Sequence, residues 1–423
     1  MNFYDYFEAE SLKKRFENKI LLKKSIGSDG TSPAAFQRNI DEEIETIIRK
    51  VSNFSYRFSP LKEKLLIKNK KSLPRAVYIP TVRDRLVLSA LNEYIADTFR
   101  NELIKSKSTS HETISALIYA LKKNSFDSFI KLDIKNFFPS LDKEILVDKL
   151  SEKIKDKAAI SLIRKIINRS DGGIAQGLSV ASIMASVYLK DLDNEYSKKL
   201  NLRYFRYVDD ILILCSSSEK LAIQSELSKS VRSLGLKHHD LSDSEKSETG
   251  LLKNQSFSYL GYSFSPDKIS VRTASVEKLR KGIVQIFTEA SSAELDDSEE
   301  ILDQLYKRIN LKITGCIYKS KKYGWLFYFN EINDMELLYH LDWYVKQCFN
   351  RFNVAFDKKK IKSFVRSYYK MKYSNIEKGN IDSYIPVFDN KTSLSFDLVI
   401  DLEKTTDEEG DPEIAFKKIL KLL

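Results

Sequence analysis

Two adjacent carboxylates inside an otherwise apolar stretch constrain this chain more than any other feature. The segment RYFRYVDDILILC runs from Arg203 to Cys215 and places Asp209 and Asp210 between runs of aromatic and β-branched residues. Such runs predict two short strands, so the acidic pair falls at the tip of a β-hairpin. Because Asp is also common in ordinary turns, the pair alone is compatible with either a turn or a site.

A third carboxylate follows another apolar strand. In FIKLDIKNFFPSLD, Asp133 ends a run that predicts a buried strand. If the two strands lie side by side, Asp133, Asp209 and Asp210 meet at one edge of a sheet. Carboxylates grouped in this way suit Mg²⁺, and two such ions can activate a 3′-hydroxyl and stabilise a leaving pyrophosphate. Asp142, later in the same segment, is predicted to be a helix N-cap and not a metal ligand.

Composition and charge favour a large protein with a polyanionic partner. With 423 residues, 42% of them hydrophobic, the chain can form two or three domains or one multi-lobed enzyme. A net charge of +11 suits nucleic acid, although a solvated lysine-rich surface would give the same sum. Three scattered cysteines predict neither a disulfide framework nor a zinc site. Without a signal pattern or a membrane-spanning stretch, the expected location is the cytoplasm, with no membrane partner.

The pattern of turns and apolar spacing predicts mixed helices and strands. Ser32 is expected to cap a helix that runs to about Val51, and Ser179 a helix that runs to about Asp193. After the strand pair near residue 260 the apolar spacing becomes helical. The expected helices lie at 276–290, 299–315 and 335–352.

The order of several short motifs resembles the reverse transcriptases. Palm motifs A to E of that family are similar, in order, to KLDIKNFFPS, AQGLSVASIMASVYLKDLD, RYVDD, SLGLKHHDLSDSEK and FSYLGYSF. Finger segments of bacterial enzymes related to group II intron and retron reverse transcriptases resemble GSDGTS, RFSP and RAVYIPTVRDRLVLSAL. The resemblance covers roughly residues 20–265.

This resemblance implies an α+β right-hand polymerase with fingers, an antiparallel-sheet palm and a helical thumb. The implied domains are fingers at 1–125, with 143–172 shared between fingers and palm, a palm at 126–265, a thumb at 266–370 and a family-specific extension at 371–423.

The resemblance also implies the metal ligands and a proton donor. Asp133 and Asp209 would bind both of two Mg²⁺ ions, for which Mn²⁺ could substitute, and Asp210 would lie nearer the primer. The backbone carbonyl of Ile134 would add a ligand. Lys246 would protonate pyrophosphate as a general acid, although its surroundings depart from the family pattern and Lys237 and Lys253 lie nearby. The neighbouring His238 and His239 are interpreted as loop residues, because no matching pair occurs elsewhere.

Nucleotide contacts are implied for four residues. Phe138 would place a flat ring where a ribose 2′-hydroxyl would lie and so exclude ribonucleotides, with core packing as the alternative. Gln176 and Gly177 would contact the incoming nucleotide and template, unless Gly177 only forms a turn before a helix. Arg75 would bind the triphosphate through its guanidinium fork. A second cationic contact is expected from a finger lysine, which is Lys68, Lys70 or Lys71.

Primer and template contacts complete the implied site. Residues near the primer would be Tyr207 and Val208 at the hairpin and Leu260, Gly261 and Tyr262 in the last palm motif. Arg83 and Arg85 would either touch the template backbone or form ion pairs within the protein.

The region after the palm contains many aromatic residues, and these are expected to be core more often than base-stacking surface. They are Tyr318, Tyr323, Trp325, Phe327, Tyr328, Phe329, Tyr339, Trp343 and Tyr344.

The favoured function is RNA-templated DNA synthesis from dNTPs, with a dedicated structured non-coding RNA as template and a bacterial anti-phage role. The resemblance is greatest to defence-associated reverse transcriptases of the "unknown group", possibly class 2. Alternatives are a retron or group II intron enzyme, RNA synthesis on an RNA template, untemplated or protein-primed DNA synthesis, and an idle RNA-binding protein. Three retained carboxylates that repel one another argue against the last.

Overall fold

The computed structural model describes residues 2–21, 25–67, 74–103, 109–123, 125–241, 246–292, 299–318, 320–373 and 384–388. The chain divides into two compact units, residues 1–252 and 253–423. Each unit combines helices with small sheets, so the predicted α+β class is confirmed.

A four-stranded antiparallel sheet lies at the centre of the first unit. The strands of this unit are β1 (Lys62–Leu66), β2 (Arg75–Ile79), β3 (Ser128–Asp133), β4 (Leu202–Tyr207), β5 (Asp210–Cys215) and β6 (Glu248–Leu251). The central sheet has the order β4-β5-β3-β6, while β1 and β2 form a separate antiparallel ribbon. Residues 211–215 of β5 are all fully buried, as expected of a strand covered on both faces.

Helices of the first unit pack around this sheet. They are α1 (Ala9–Arg15), α2 (Pro33–Gln37), α3 (Ile40–Ser52), α4 (Val82–Thr98), α5 (Ser110–Lys122), α6 (Phe137–Ser140), α7 (Lys143–Ser151), α8 (Lys157–Ile167), α9 (Ala181–Tyr188), α10 (Lys190–Lys198) and α11 (Lys220–Ser233), with a 3₁₀ helix at Phe3–Phe7 and a π-helix at Phe16–Ile20. Helix α4 contributes much of the core, since most of its side chains are buried.

Of the two helix N-caps predicted from the sequence, Ser32 is confirmed and Ser179 is wrong. Ser32 caps α2, because its hydroxyl accepts a hydrogen bond from the amide of Ala35 at 3.1 Å, but the helix breaks before α3 begins. The expectation that Ser179 caps the later helix is wrong. A turn in which the amide of Ala181 bonds to the carbonyl of Leu178 delays the start of α9 to Ala181, with Val180 as its N-cap.

The second unit contains two three-stranded sheets and longer helices. Its strands are β7 (Phe257–Tyr259), β8 (Tyr262–Phe264), β9 (Ile269–Val271), β10 (Cys316–Tyr318), β11 (Lys321–Tyr323) and β12 (Val387–Phe388). Its helices are α12 (Thr273–Ser292), α13 (Glu299–Thr314), α14 (Trp325–Tyr328), α15 (Met335–Arg351) and α16 (Phe364–Tyr373). The three helices predicted from apolar spacing are confirmed as α12, α13 and α15.

Cys215, Cys316 and Cys348 are buried free thiols, as expected for a chain without a disulfide framework. Among the helices that the structure describes, none has the length and apolar character needed to cross a membrane.

Candidate active site

The predicted hairpin is present, with Val208 and Asp209 as its two-residue turn. Tyr207 at the end of β4 lies opposite Asp210 at the start of β5. Val208 has a φ of 58°, in the left-handed region that β-branched residues disfavour. Such a backbone costs of order 1–3 kcal/mol and persists only where neighbouring contacts fix it.

A buried ion pair between Arg206 and Asp193 holds the hairpin turn in place. The Nε of Arg206 donates to Asp193 on α10 at 2.7 Å, and a second guanidinium nitrogen contacts the other carboxylate oxygen. The Nη1 of Arg206 donates to the carbonyl of Val208 at 2.9 Å. Tyr204 adds its hydroxyl to Asp193 at 2.9 Å. The side chains of Arg206 and Asp193 are only 4% and 9% exposed, so this clamp is rigid and shielded from salt.

Replacing both Arg206 and Asp193 by Met is expected to lower nucleotide incorporation about tenfold or more, because the strained turn then loses its donor. Removing both charges together avoids leaving one of them buried and unpaired, so the protein should still fold. The matched control replaces both Arg15 and Glu93, an ion pair with a buried arginine elsewhere in the unit, by Met. Steady-state incorporation and thermal unfolding of both double variants test this expectation. Equal activities in the two folded variants would contradict a role for the Arg206 clamp in positioning the turn.

The strand register brings the three predicted carboxylates to one edge of the sheet. Asp133 at the end of β3 is paired with Asp210, and Asp209 occupies the adjoining turn. The amide of Ile134 donates to the carbonyl of Asp209 at 3.2 Å, which ties the end of β3 to the hairpin. All three aspartates are partly buried.

Burial and repulsion between carboxylates shift Asp209 and Asp210 toward the protonated form. Burial, with the charges of Asp133 and Asp209, raises the pKa of Asp210 to about 6. Burial and the charge of Asp133 also raise the pKa of Asp209, against the opposing charges of Arg75 and Lys246. The cluster therefore carries more negative charge than its surroundings compensate.

Lys246, the predicted proton donor, lies beside Asp133. Its Nζ is 3.3 Å from Oδ2 of Asp133. The neighbouring Ser247 accepts a hydrogen bond from the amide of Asp133 at 3.0 Å. Below them, Lys131 forms a buried 3.2 Å ion pair with Glu248 of β6. The ammonium of Lys131 counteracts part of the shift in the pKa of Asp210.

His239 was missed by sequence reasoning, and its interpretation as a plain loop residue is incomplete. Its amide donates to the carbonyl of Asp133 at 2.9 Å, and its Nε2 lies 3.5 Å from Oδ2 of the same residue. His238 forms an isolated β-bridge with Ile134. The only sequence signal for His239 was its place in the fourth motif. Its pairing with Asp133 joins segments about a hundred residues apart, which local patterns do not reveal.

The residues present fit a divalent metal centre. Within the described ranges, no three His, Cys, Asp or Glu side chains stand in a ready coordinating arrangement. The three aspartates nevertheless supply hard oxygen donors, and burial together with repulsion from neighbouring carboxylates raises the pKa values of Asp209 and Asp210. A divalent cation held by Asp133, Asp209 and Asp210 would offset that repulsion.

Asp210→Asn is expected to stabilise the metal-free protein at pH 7.5 by about 1–2 kcal/mol. Because the pKa of Asp210 rises from 3.8 to about 6 on folding, the folded state binds the proton more tightly than the unfolded state. The stability contributed by this group is therefore lost as pH rises from about 4 to about 6, and asparagine avoids that loss.

Thermal unfolding in EDTA at pH 4 and pH 7.5 tests this expectation for Asp210. The advantage of the variant should be present at pH 7.5, nearly absent at pH 4, and reduced at pH 7.5 when Mg²⁺ is added. An advantage that does not depend on pH would contradict the electrostatic explanation.

The segment that contains Gln176 and Gly177 contacts the ribbon formed by β1 and β2. The amide of Tyr78 on β2 donates to the carbonyl of Gln176 at 2.8 Å. Gly177 has a φ of 104°, and a Cβ there would lie 2.6 Å from Cγ1 of Val77. Glycine is therefore required for this close approach, and the plain-turn alternative is incomplete. Arg75 begins the same ribbon strand, is exposed, and its charge opposes the rise in the pKa of Asp209.

Phe138 lies next to this junction, on α6. Its carbonyl accepts a hydrogen bond from the amide of Ile174 at 2.8 Å, which ties it to the loop that leads to Gln176. Phe137 is buried, as expected of a core residue, whereas Phe138 is partly exposed and its ring centroid lies 5.5 Å from that of Phe137. The ring is thus supported on one side and open on another.

Arg83 and Arg85 both form contacts within the protein. Arg83 forms a two-pronged ion pair with Glu43, one arm of which is 2.7 Å long. Arg85 donates to the carbonyl of Ile26 at 2.6 Å. Asp84 between them is buried and accepts from the hydroxyl of Tyr56 at 2.8 Å. These contacts favour the intramolecular alternative for both arginines, so contact with the template stays a prediction.

The remaining predicted contacts are distributed between the two units. Tyr207 is 38% exposed in the first unit. In the second unit, Leu260 and Gly261 form the left-handed turn between β7 and β8, with φ values of 48° and 85°. Tyr262 is buried and its hydroxyl donates to the carbonyl of Tyr328 at 2.5 Å, so its side chain is structural. The candidates Lys68, Lys70 and Lys71 lie outside the described residues.

Comparisons with known proteins agree with the geometry of the first unit. Residues 67–264 match the family described as reverse transcriptase (RNA-dependent DNA polymerase). The retron Ec73 reverse transcriptase of Escherichia coli is 28% identical over 166 residues, which cover 35% of this chain and 51% of that protein. The group II intron-encoded protein LtrA of Lactococcus lactis is 25% identical over 181 residues, 39% of this chain and 30% of that protein. The matches thus span about half or less of these relatives.

Two telomerases are among the solved structures that align with the chain. Telomerase from Candida albicans, in complex with a TWJ fragment of telomeric RNA, aligns with a TM-score of 0.46 and 15% identity, over 92% of this chain and 67% of that chain. Apo telomerase from Candida tropicalis, truncated from its C-terminal domain, aligns with a TM-score of 0.41 and 13% identity, over 59% and 63%. The mixed helices and largely antiparallel sheets of the two units are consistent with a right-hand polymerase fold. Residues 67–264 thus match the reverse transcriptase family, and the similar proteins include retron and group II intron enzymes.

Proposed function

We propose that this protein is an RNA-templated DNA polymerase that uses two divalent metal ions, with Mg²⁺ as the working ion. One observation carries the proposal. The strand register places Asp133 opposite Asp210, with Asp209 in the adjoining turn, inside a domain that matches the reverse transcriptase family.

In this proposal each residue of the catalytic site has its own role. Asp133, Asp209 and Asp210 hold the metal ions, which when bound activate the primer hydroxyl and stabilise the leaving pyrophosphate. Lys246, 3.3 Å from Asp133, can donate a proton to the pyrophosphate oxygen as it leaves. Arg75 binds the triphosphate through its guanidinium fork.

The remaining side chains select and orient the substrates. The partly exposed ring of Phe138 occupies the place where a ribose 2′-hydroxyl would lie and so favours dNTPs. Gln176 and Gly177, fixed against β2, contact the incoming nucleotide and template. Tyr207 and Val208 support the primer end, and the backbone at Leu260 and Gly261 lies against the primer strand.

The proposed template is a dedicated structured non-coding RNA, and the proposed setting is bacterial anti-phage defence in the cytoplasm. The net charge of +11 supports a polyanionic template such as RNA. A retron or group II intron role is the main alternative, since relatives of both kinds match the chain.

The template proposal is tested by purifying the protein with its bound RNA, adding dNTPs and Mg²⁺, and sequencing the DNA made. We expect products that map to one co-purified RNA and begin at one position. Products copied at random from cellular RNA would contradict a dedicated template. Products without any template match would favour untemplated addition.

A further inference from the structure

Four large aromatic side chains on α15 and α16 are exposed, although most such residues in this unit are buried. Tyr339 and Trp343 on α15 are 61% and 55% exposed, and Tyr369 and Tyr373 on α16 are 47% and 73% exposed. The members of each pair lie four residues apart, so each pair shares one helix face. Exposed aromatic surface of this extent marks an interaction site more often than a solvated face.

The two helices enclose an open groove of about 630 Å³. We call it the aromatic groove, and its lining includes Tyr339, Asp342, Arg366, Tyr369, Lys370 and Tyr373. The rings of Tyr369 and Tyr373 stack with centroids 5.9 Å apart and an interplanar angle of 24°. They form an aromatic platform on the surface before any partner binds.

The groove carries two basic side chains and one acidic side chain, and the acidic one is hydrogen-bonded within the protein. Asp342 accepts hydrogen bonds from the hydroxyl of Ser363 and the amide of Phe364, both at 2.6 Å, at the start of α16. Arg366 and Lys370 therefore supply the positive charge that a bound anion would meet in the groove. The guanidinium of Arg366 lies 4.9 Å from the ring centroid of Tyr384, which holds it at the groove.

We propose that the aromatic groove binds single-stranded RNA, with bases stacked on its tyrosines and phosphates near Arg366 and Lys370. Aromatic faces interleaved with cations are the chemistry that recognises unpaired bases on a polyanionic backbone. A duplex hides its base faces, so the groove selects single strands. The inference rests on the proposed function only in taking RNA as the nucleic acid that the protein meets.

The test measures binding of a fluorescein-labelled 12-nucleotide oligoadenylate RNA to the full chain. Replacing both Tyr369 and Tyr373 by Ala should weaken binding about tenfold or more, because stacking is lost. Replacing both by Phe should change it less than about twofold, because the rings remain. Tyr119→Ala, which removes an aromatic side chain that is also 61% exposed, is the matched control and should bind normally.

A second readout uses the tryptophans, of which the chain has two. In a Trp325→Phe variant the fluorescence reports on Trp343 alone. The single-stranded oligonucleotide should quench it, and a 12-base-pair RNA duplex should not. Equal quenching by both would overturn the preference for single strands.

Failure of the groove and failure of the polymerase are distinguishable. The Tyr369 and Tyr373 double alanine variant should extend a short pre-annealed primer on RNA as well as wild type does, while binding the oligoadenylate poorly. Active wild type with unchanged oligoadenylate affinity in the variant would overturn the groove proposal alone. If the variant instead converts a dimer into a monomer by light scattering and binds RNA normally, the surface joins copies of the chain and the proposal is wrong.

Discussion

Asp209→Asn is expected to lower the rate of Mg²⁺-dependent DNA synthesis at least about 10³-fold, because metal-ion catalysis of this kind supplies several kcal/mol. Asparagine has the shape of aspartate but lacks the charge that attracts the cations. Asp209 lies in the hairpin turn beside Asp133 and Asp210, where burial and the charge of Asp133 raise its pKa. Incorporation of labelled dNTPs on a primed RNA template measures the effect.

A carboxylate in the first palm segment provides the matched control. Asp142 caps α7 by accepting hydrogen bonds from the amides of Glu144 and Ile145 at 2.9 and 3.0 Å. Because asparagine is an equally good N-cap, Asp142→Asn should retain activity and stability. Near-normal synthesis by Asp209→Asn, or an equal loss in both variants, would contradict the assignment of Asp209 to the metal site.

Phe138→Ala is expected to raise the use of ribonucleotides relative to deoxyribonucleotides about 10- to 100-fold, since a pocket contact of this size is worth about 1–3 kcal/mol. Phe137 is buried and supports the ring of Phe138, which remains partly exposed beside the loop that leads to Gln176. Removing the ring opens space for a 2′-hydroxyl without removing a core side chain.

The measurement is the ratio of kcat/KM for each NTP to that for the matching dNTP. Phe138→Tyr keeps the ring and should keep the wild-type ratio. A ratio unchanged in Phe138→Ala, with dNTP incorporation intact, would show that Phe138 only packs and that another residue excludes ribonucleotides.

The central site could be predicted because local patterns determine it. Apolar runs on both sides of Asp209 and Asp210 specified the hairpin, and the run before Asp133 specified the partner strand. The cap at Asp142 followed from one side chain and two amides. Each of these features depends on residues close together in the chain.

The surroundings of the site depend on contacts between distant segments and could not be predicted in the same way. His239 lies beside Asp133 only because residues 237–239 pair with residues 133–135. The clamp from Arg206 to Asp193 joins a strand to a preceding helix, and no periodicity marks it. The close approach of Val77 to Gly177 likewise depends on the packing of the β1 and β2 ribbon against a distant segment of the chain.

Aromatic residues after the palm show both outcomes. Tyr318, Phe327 and Phe329 are buried, as expected of core residues. Tyr339 and Trp343 are exposed and belong to the minority for which the surface alternative holds. The buried face of α15 consists of other apolar residues, so its helical period could have separated the two sets. The buried residues of α15 are Leu338, Leu341, Val345, Cys348 and Phe349.

The most direct test of the central claim is incorporation of labelled dNTPs by the purified protein on a DNA-primed RNA template, with Mg²⁺ present or removed by EDTA. We expect DNA products that require Mg²⁺, follow the template sequence and exclude NTPs. The variant with both Asp209 and Asp210 replaced by Ala should make none. DNA synthesis that survives in this variant, or wild-type protein that binds the primed template but never extends it, would contradict the claim that these carboxylates form a working polymerase site.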